Sequence, residues 1–118
     1  MCPSETNEQI TFIARLPEKY SRIVLHPKNE GRLRDGQFSK LSIDRAMASL
    51  NKGASDIIIP GSPTFVCEIK RCDHTLSKIS DEQVEYLLAC QDAGAFACIS
   101  LGCDAATEAF RCWLNKIV

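Results

Sequence analysis

The order of apolar and polar residues divides the chain into eight short segments. Ser4 followed by Glu-Thr-Asn-Glu predicts a helix start, with Ser4 as N-cap and acids in the first turn. Ile10, Ile13 and Ala14 supply its apolar stripe, and Pro17 ends it. Residues 21–26, Ser-Arg-Ile-Val-Leu-His, read as a short strand, and 27–37 as a polar loop. Helical spacing returns from Phe38 to Lys52, where Ile43, Ala46, Met47 and Leu50 share a face and Gly53 closes the turn. Asp-Ile-Ile-Ile (56–59) and Phe-Val-Cys-Glu-Ile-Lys (65–70) flank Pro-Gly-Ser-Pro, which predicts a hairpin. Ser80-Asp-Glu-Gln83 has the spacing of a capping box and opens a helix with the stripe Val84, Leu87 and Leu88, stopped at Gly94. Residues 95–101 form a third core strand. Asp104 caps a last helix that presents Ala106, Ala109, Phe110, Trp113, Leu114 and Ile117 on one side. The expected fold is α/β, in the order α-β-α-β-β-α-β-α, a mixed sheet flanked by helices.

A length of 118 residues suits one domain, taken as 1–118, which buries roughly two-thirds of the surface its unfolded form exposes. Hydrophobic residues at 45% and charged residues at 25% match an ordinary globular protein without low-complexity sequence. Seven cysteines, at 2, 67, 72, 90, 98, 103 and 112, contain no CxxC spacing and cannot all pair within one chain. The first residues hold no apolar run of signal-peptide type, and no stretch reaches membrane-spanning length. Reduced thiols in the cytoplasm are therefore expected.

Strand alternation turns Glu68 and Lys70 to the same side together with Val66, while Phe65, Cys67 and Ile69 face the other. Asp56 lies at the open end of the facing strand, in reach of Glu68 if the hairpin register follows the 60–63 turn. Two neighbouring carboxylates repel unless a cation lies between them, and oxygen donors select a hard ion such as Mg²⁺ or Mn²⁺. The Ile69 carbonyl is a further candidate ligand, and Lys70 is placed to hold the attacking water or offset charge on a phosphoryl group. Taken singly, Glu-x-Lys is more often a solvated strand face, and Asp56 a turn residue. The combination is what points to chemistry. His26 and His74 have no cysteine at zinc-ligand spacing, Cys67 faces the core, and Cys72 has no evident partner.

Asp56-(x)11-Glu68-Ile69-Lys70 is similar to the D-(x)n-(D/E)-x-K signature of the restriction-endonuclease-like, or PD-(D/E)XK, superfamily. More closely, Gly53-Ala-Ser-Asp56, Phe65-Val-Cys-Glu68-Ile-Lys70, Ser80-Asp-Glu-Gln83 and Gly94 together resemble a VRR-NUC (virus-type replication-repair nuclease) domain, with Asn29-Glu-Gly31 similar to its N-x-G. Ser55 stands where that family usually has proline. The resemblance implies a metal-dependent DNA endonuclease of a bacterial or phage-infected cell, active in repair as a homodimer on branched DNA such as Holliday junctions. It implies Asp56, Glu68 and the Ile69 carbonyl as metal ligands and Lys70 as the catalytic lysine. The first-helix acid best matches Glu5, with Glu8 as the competing choice. Gln83 matches a glutamine facing the active centre, although the capping box with Ser80 is an equally good role for it.

Net charge is −1, which argues weakly against a polyanionic partner. The distribution is less even. Residues 22–52 hold Arg22, Lys28, Arg32, Arg34, Lys40, Arg45 and Lys52 against Glu30, Asp35 and Asp44. Arg32, Arg34, Lys40, Arg45 and Lys52 are the candidate phosphate contacts. The alternative reading is a binding module of the same fold with little or no catalysis. A third is an unrelated α/β interaction protein, on which metal would have no effect.

Overall fold

The computed structural model describes residues 2–26, 55–76 and 78–117. The expected helix 38–52, Asn29, Gly31, Gly53 and the five candidate phosphate contacts, Arg32, Arg34, Lys40, Arg45 and Lys52, lie outside the described residues. Among the described residues the elements are α1 (Glu5–Arg15), α2 (Glu18–Ser21), β1 (Ile57–Ile59), β2 (Phe65–Lys70), a 3₁₀ turn (His74–Leu76), α3 (Asp81–Asp92), β3 (Phe96–Leu101) and α4 (Cys103–Lys116). No described helix is long and apolar enough to cross a membrane.

The sheet is small and mixed, with β2 central: β1 pairs antiparallel to it and β3 parallel. A central strand between helical layers is covered on both faces, and all six residues of β2 are buried. Alternation still sorts them. Phe65, Cys67 and Ile69 join the core with Ile57, Ile59, Phe12, Phe110 and Trp113, whereas Val66, Glu68 and Lys70 do not. Phe65 stacks on Phe12 and meets Phe110 edge-on, which ties α1 and α4 to the same side of the sheet. The hairpin turn is anchored from below by α4. Trp113 Nε1 donates to the Pro63 carbonyl at 2.6 Å, and a Cβ on Gly61 would meet the indole at 2.7 Å, so only glycine leaves room there.

Four local expectations change. The strand expected at 21–26 is instead the end of α2 followed by a single antiparallel bridge, in which Leu25 and Ile58 exchange hydrogen bonds of 2.7 and 2.9 Å. Pro17 caps a new helical turn as well as ending α1, which leaves too few residues for a strand. In α1 the buried residues are Glu8, Gln9 and Phe12, with Leu16 just beyond, while Ile10 is 57% exposed. In α3 only Leu87 is buried, since Val84 and Leu88 overlie an edge strand, β3, that itself exposes Ile99 and Leu101.

The cap of α4 is the fourth. It is Gly102, at φ +90° and ψ 165°, and not Asp104, which sits in the first turn and pairs with Arg15 at 2.7 Å. That backbone region is open essentially to glycine alone. A Cβ on Gly102 would also lie 2.8 Å from Glu8 Oε2 and 3.0 Å from the Cys72 Cβ. Gly102→Ala is therefore expected to destabilise the fold by about 2–4 kcal/mol, read as a lower urea midpoint with unchanged slope.

Candidate metal centre

Asp56 directly precedes β1, and the pairing of Ile57 with Cys67 continues to set it opposite Glu68. Its Oδ2 accepts a hydrogen bond from the Ile69 N–H at 3.1 Å, which fixes the carboxylate at the sheet edge. The Ser4 cap, accepting from the Asn7 N–H, starts α1 so that Glu5 is its first residue. Negative charge is favoured at that end of a helix. Oxygens of Glu5, Asp56 and Glu68 all lie within 4.8 Å of one another, the grouping expected of a cation site. Lys70 Nζ stands 3.8 Å from Glu5 Oε1 and 3.9 Å from Glu68 Oε2, with its side chain 6% exposed.

Glu68 is the strained member of the set. It is 1% exposed, and its Oε1 has no hydrogen-bond partner among the described residues. Burial first, then the neighbouring Asp56 carboxyl, push its pKa from 4.5 to about 9, against the opposing pull of Lys70. A buried carboxyl with an unmatched oxygen, facing two further carboxylates, is short of positive charge. A hard divalent cation fits that deficit, and the all-oxygen donor set suits it.

The two first-helix acids part company. Glu5 joins the cluster, whereas Glu8 points to the start of α4, where its buried Oε2 would lie against any side chain at 102. There it lies near the favourable end of the α4 dipole and, after burial, contributes to raising the Cys103 thiol pKa. Gln83 is engaged in the capping box: its Oε1 accepts from the Ser80 N–H at 2.9 Å, and its own N–H donates to Ser80 Oγ at 3.2 Å. Ser55, in the position of the family proline, is fully buried, with a hydroxyl that has no hydrogen-bond partner among the described residues. Trp113 and Phe110 are core residues. His26 Nε2 lies 3.0 Å from the buried Gln9 amide oxygen, a contact that no spacing in the sequence signalled.

A mixed sheet thus has a central strand carrying Glu-x-Lys, faced by an aspartate at the mouth of a hairpin and by an acid from the first helix. Among solved structures the chain is similar to one described as a VRR_NUC domain protein, with a TM-score of 0.70 and 17% identity over 96% of this chain and 89% of that one. The chain has the fold of a VRR_NUC domain. No protein-family model and no curated protein matches its sequence.

Proposed function

We propose that this protein is a divalent-cation-dependent DNA endonuclease that hydrolyses backbone phosphodiesters. The observation that carries the reading is the convergence of Glu5, Asp56 and buried Glu68 around a deficit of positive charge, with Lys70 alongside. Glu5, Asp56, Glu68 and the Ile69 carbonyl would hold Mg²⁺ or Mn²⁺. When bound, such an ion activates water and neutralises charge on a phosphoryl oxygen. Lys70, held by two carboxylates and nearly dry, is positioned to orient the attacking water and to stabilise the charge that builds on the phosphate. Gln83, if its amide leaves the helix cap, serves the same centre. Arg32, Arg34, Lys40, Arg45 and Lys52 contact phosphates and set the duplex without reading sequence. A homodimer acting on branched DNA answers the weak net charge, since two modest basic faces joined form a longer track. Cleavage leaves a 5′-phosphate and a 3′-hydroxyl. A cytoplasmic setting keeps the thiols reduced.

Thermal denaturation with and without Mn²⁺ tests the site directly. At a hundredfold excess over the dissociation constant the ion is expected to stabilise the wild type by about 2.7 kcal/mol and Asp56→Asn by almost nothing. Equal shifts in the two proteins would reject the site. Solution mass combined with cleavage of a four-way junction against linear duplex in Mg²⁺ tests the rest; a monomer that cuts neither would reject the function.

A further inference from the structure

The site leaves one reactive cluster unused, at the mouth of α1. Cys72 follows β2 by two residues, and Cys2 precedes the Ser4 cap by two. Their sulfurs are 3.1 Å apart, with the Cys72 thiol donating to Cys2 Sγ. The arrangement is built from several contacts. The Asp73 N–H donates to Cys2 Sγ at 3.3 Å, and Arg71 donates to the carbonyls of Cys2 and Pro3, both at 3.0 Å. Arg71 thus holds the segment before α1 against the end of β2 and fixes the approach of the two thiols.

We infer that Cys2 and Cys72 form a reversible disulfide site that locks the start of α1 to the end of β2. A disulfide requires sulfurs at about 2.05 Å, so closure asks for roughly 1 Å of approach, within the reach of side-chain rotation. Cys72 is exposed and Cys2 partly so, which leaves them open to a small-molecule disulfide. A second thiol pair, Cys67 with Cys98, faces itself across the β2–β3 register, but Cys67 is wholly buried and shielded from reagents. The order of attack follows from the hydrogen bonds. The Cys72 thiol, then the Asp73 N–H, lower the Cys2 pKa, and the same contact raises that of Cys72. Cys2 is therefore the first thiolate.

With glutathione disulfide as oxidant, the Cys2 thiolate attacks one of its sulfurs, and the S–S electron pair departs with one glutathione, which takes up a proton. Cys72 then loses its proton and attacks the Cys2 sulfur, expelling the second glutathione. The chain loses two electrons and two protons, and two glutathione thiols are formed. The product joins the helix that begins with Glu5 to the strand that carries Glu68 and Lys70. For its meaning as control this rests on the proposed site, but its formation is read without metal or nucleic acid.

The experiment equilibrates the full chain in glutathione redox buffers, then alkylates free thiols and maps peptides without reduction. A Cys2–Cys72 link is expected before any other cysteine reacts, with a rise in melting temperature on the order of 10 °C. Cys72→Ser is expected to stop at a glutathione adduct on Cys2 and to show no such rise. Alkylation of both thiols at potentials where exposed Cys112 is already modified, or pairing of Cys2 with other cysteines, would overturn the inference.

Discussion

Replacing Lys70 with alanine is expected to slow phosphodiester cleavage by about 10²–10³-fold at saturating Mg²⁺ while leaving most DNA binding in place. The size follows from the lysine's setting. It is nearly dry and lies under 4 Å from both Glu5 and Glu68, so its charge acts in a medium that screens it poorly. Loss of the same residue removes an influence that lowers the Glu68 pKa, so the proton on Glu68 is held more tightly. Removing a cation from within 4 Å of two ligand carboxylates also lifts its repulsion of a divalent ion, so the variant should bind Mn²⁺ at least as well as the wild type. Single-turnover cleavage with a parallel binding isotherm separates the two effects. If cutting and binding fall together, Lys70 grips DNA and a binding module is the better description.

The second large effect is in the pH dependence of the metal-free fold. Glu68 has a pKa of about 9 in the folded chain against an ordinary 4.5, so between those values the folded state keeps a proton that the unfolded state releases. Stability from this group is complete below about pH 4.5 and is lost as pH rises through about 9. Each tenfold difference in proton affinity between the two states is worth about 1.4 kcal/mol, so the decline should amount to several kcal/mol. Glu68→Gln keeps a neutral side chain at every pH and should flatten the curve. A divalent ion reverses the logic, because it takes the place of the proton. Binding Mn²⁺ at pH 7 is expected to release about one proton per site, measurable by calorimetry in buffers of different ionisation enthalpy. A metal-free stability curve with the same slope in wild type and Glu68→Gln would show that Glu68 is already ionised.

How much of this was legible in the sequence depends on which residues are asked. The hairpin and its register were, because period-two alternation and a short turn leave few ways to pair 56–59 with 65–70, and Asp56 falls opposite Glu68. The Ser4 and Ser80 caps were legible for a similar reason: a cap is local chemistry, complete within four residues. The buried face of α1 was not. Of the stripe Ile10, Ile13 and Ala14 only Ile13 packs against the core, while the helix turns Glu8 and Gln9 inward, Gln9 toward His26 and Glu8 toward the start of α4, contacts that no local pattern signals. Asp104 has a good capping side chain, yet the backbone turn before it is available only to Gly102, and conformation outweighs side-chain propensity there. The Cys2–Cys72 approach spans seventy residues, beyond any pattern readable along the chain. The choice between Glu5 and Glu8 was likewise a matter of three-dimensional placement, since both lie on the first turn.

The indole of Trp113 has a consequence for the chemistry it never touches. By gripping the Pro63 carbonyl, fifty residues away in sequence, it clamps the turn that dictates which residue of β1 stands across from which residue of β2. A slip of one position there would invert the alternation, turn Ile57 and Ile59 out of the core and swing the aspartate out of its meeting with Glu68. The accuracy of the acidic cluster is in that sense kept by the last helix, at the turn end of the hairpin. Damage to this acidic centre can thus originate at its own carboxylates or at the indole that holds the turn.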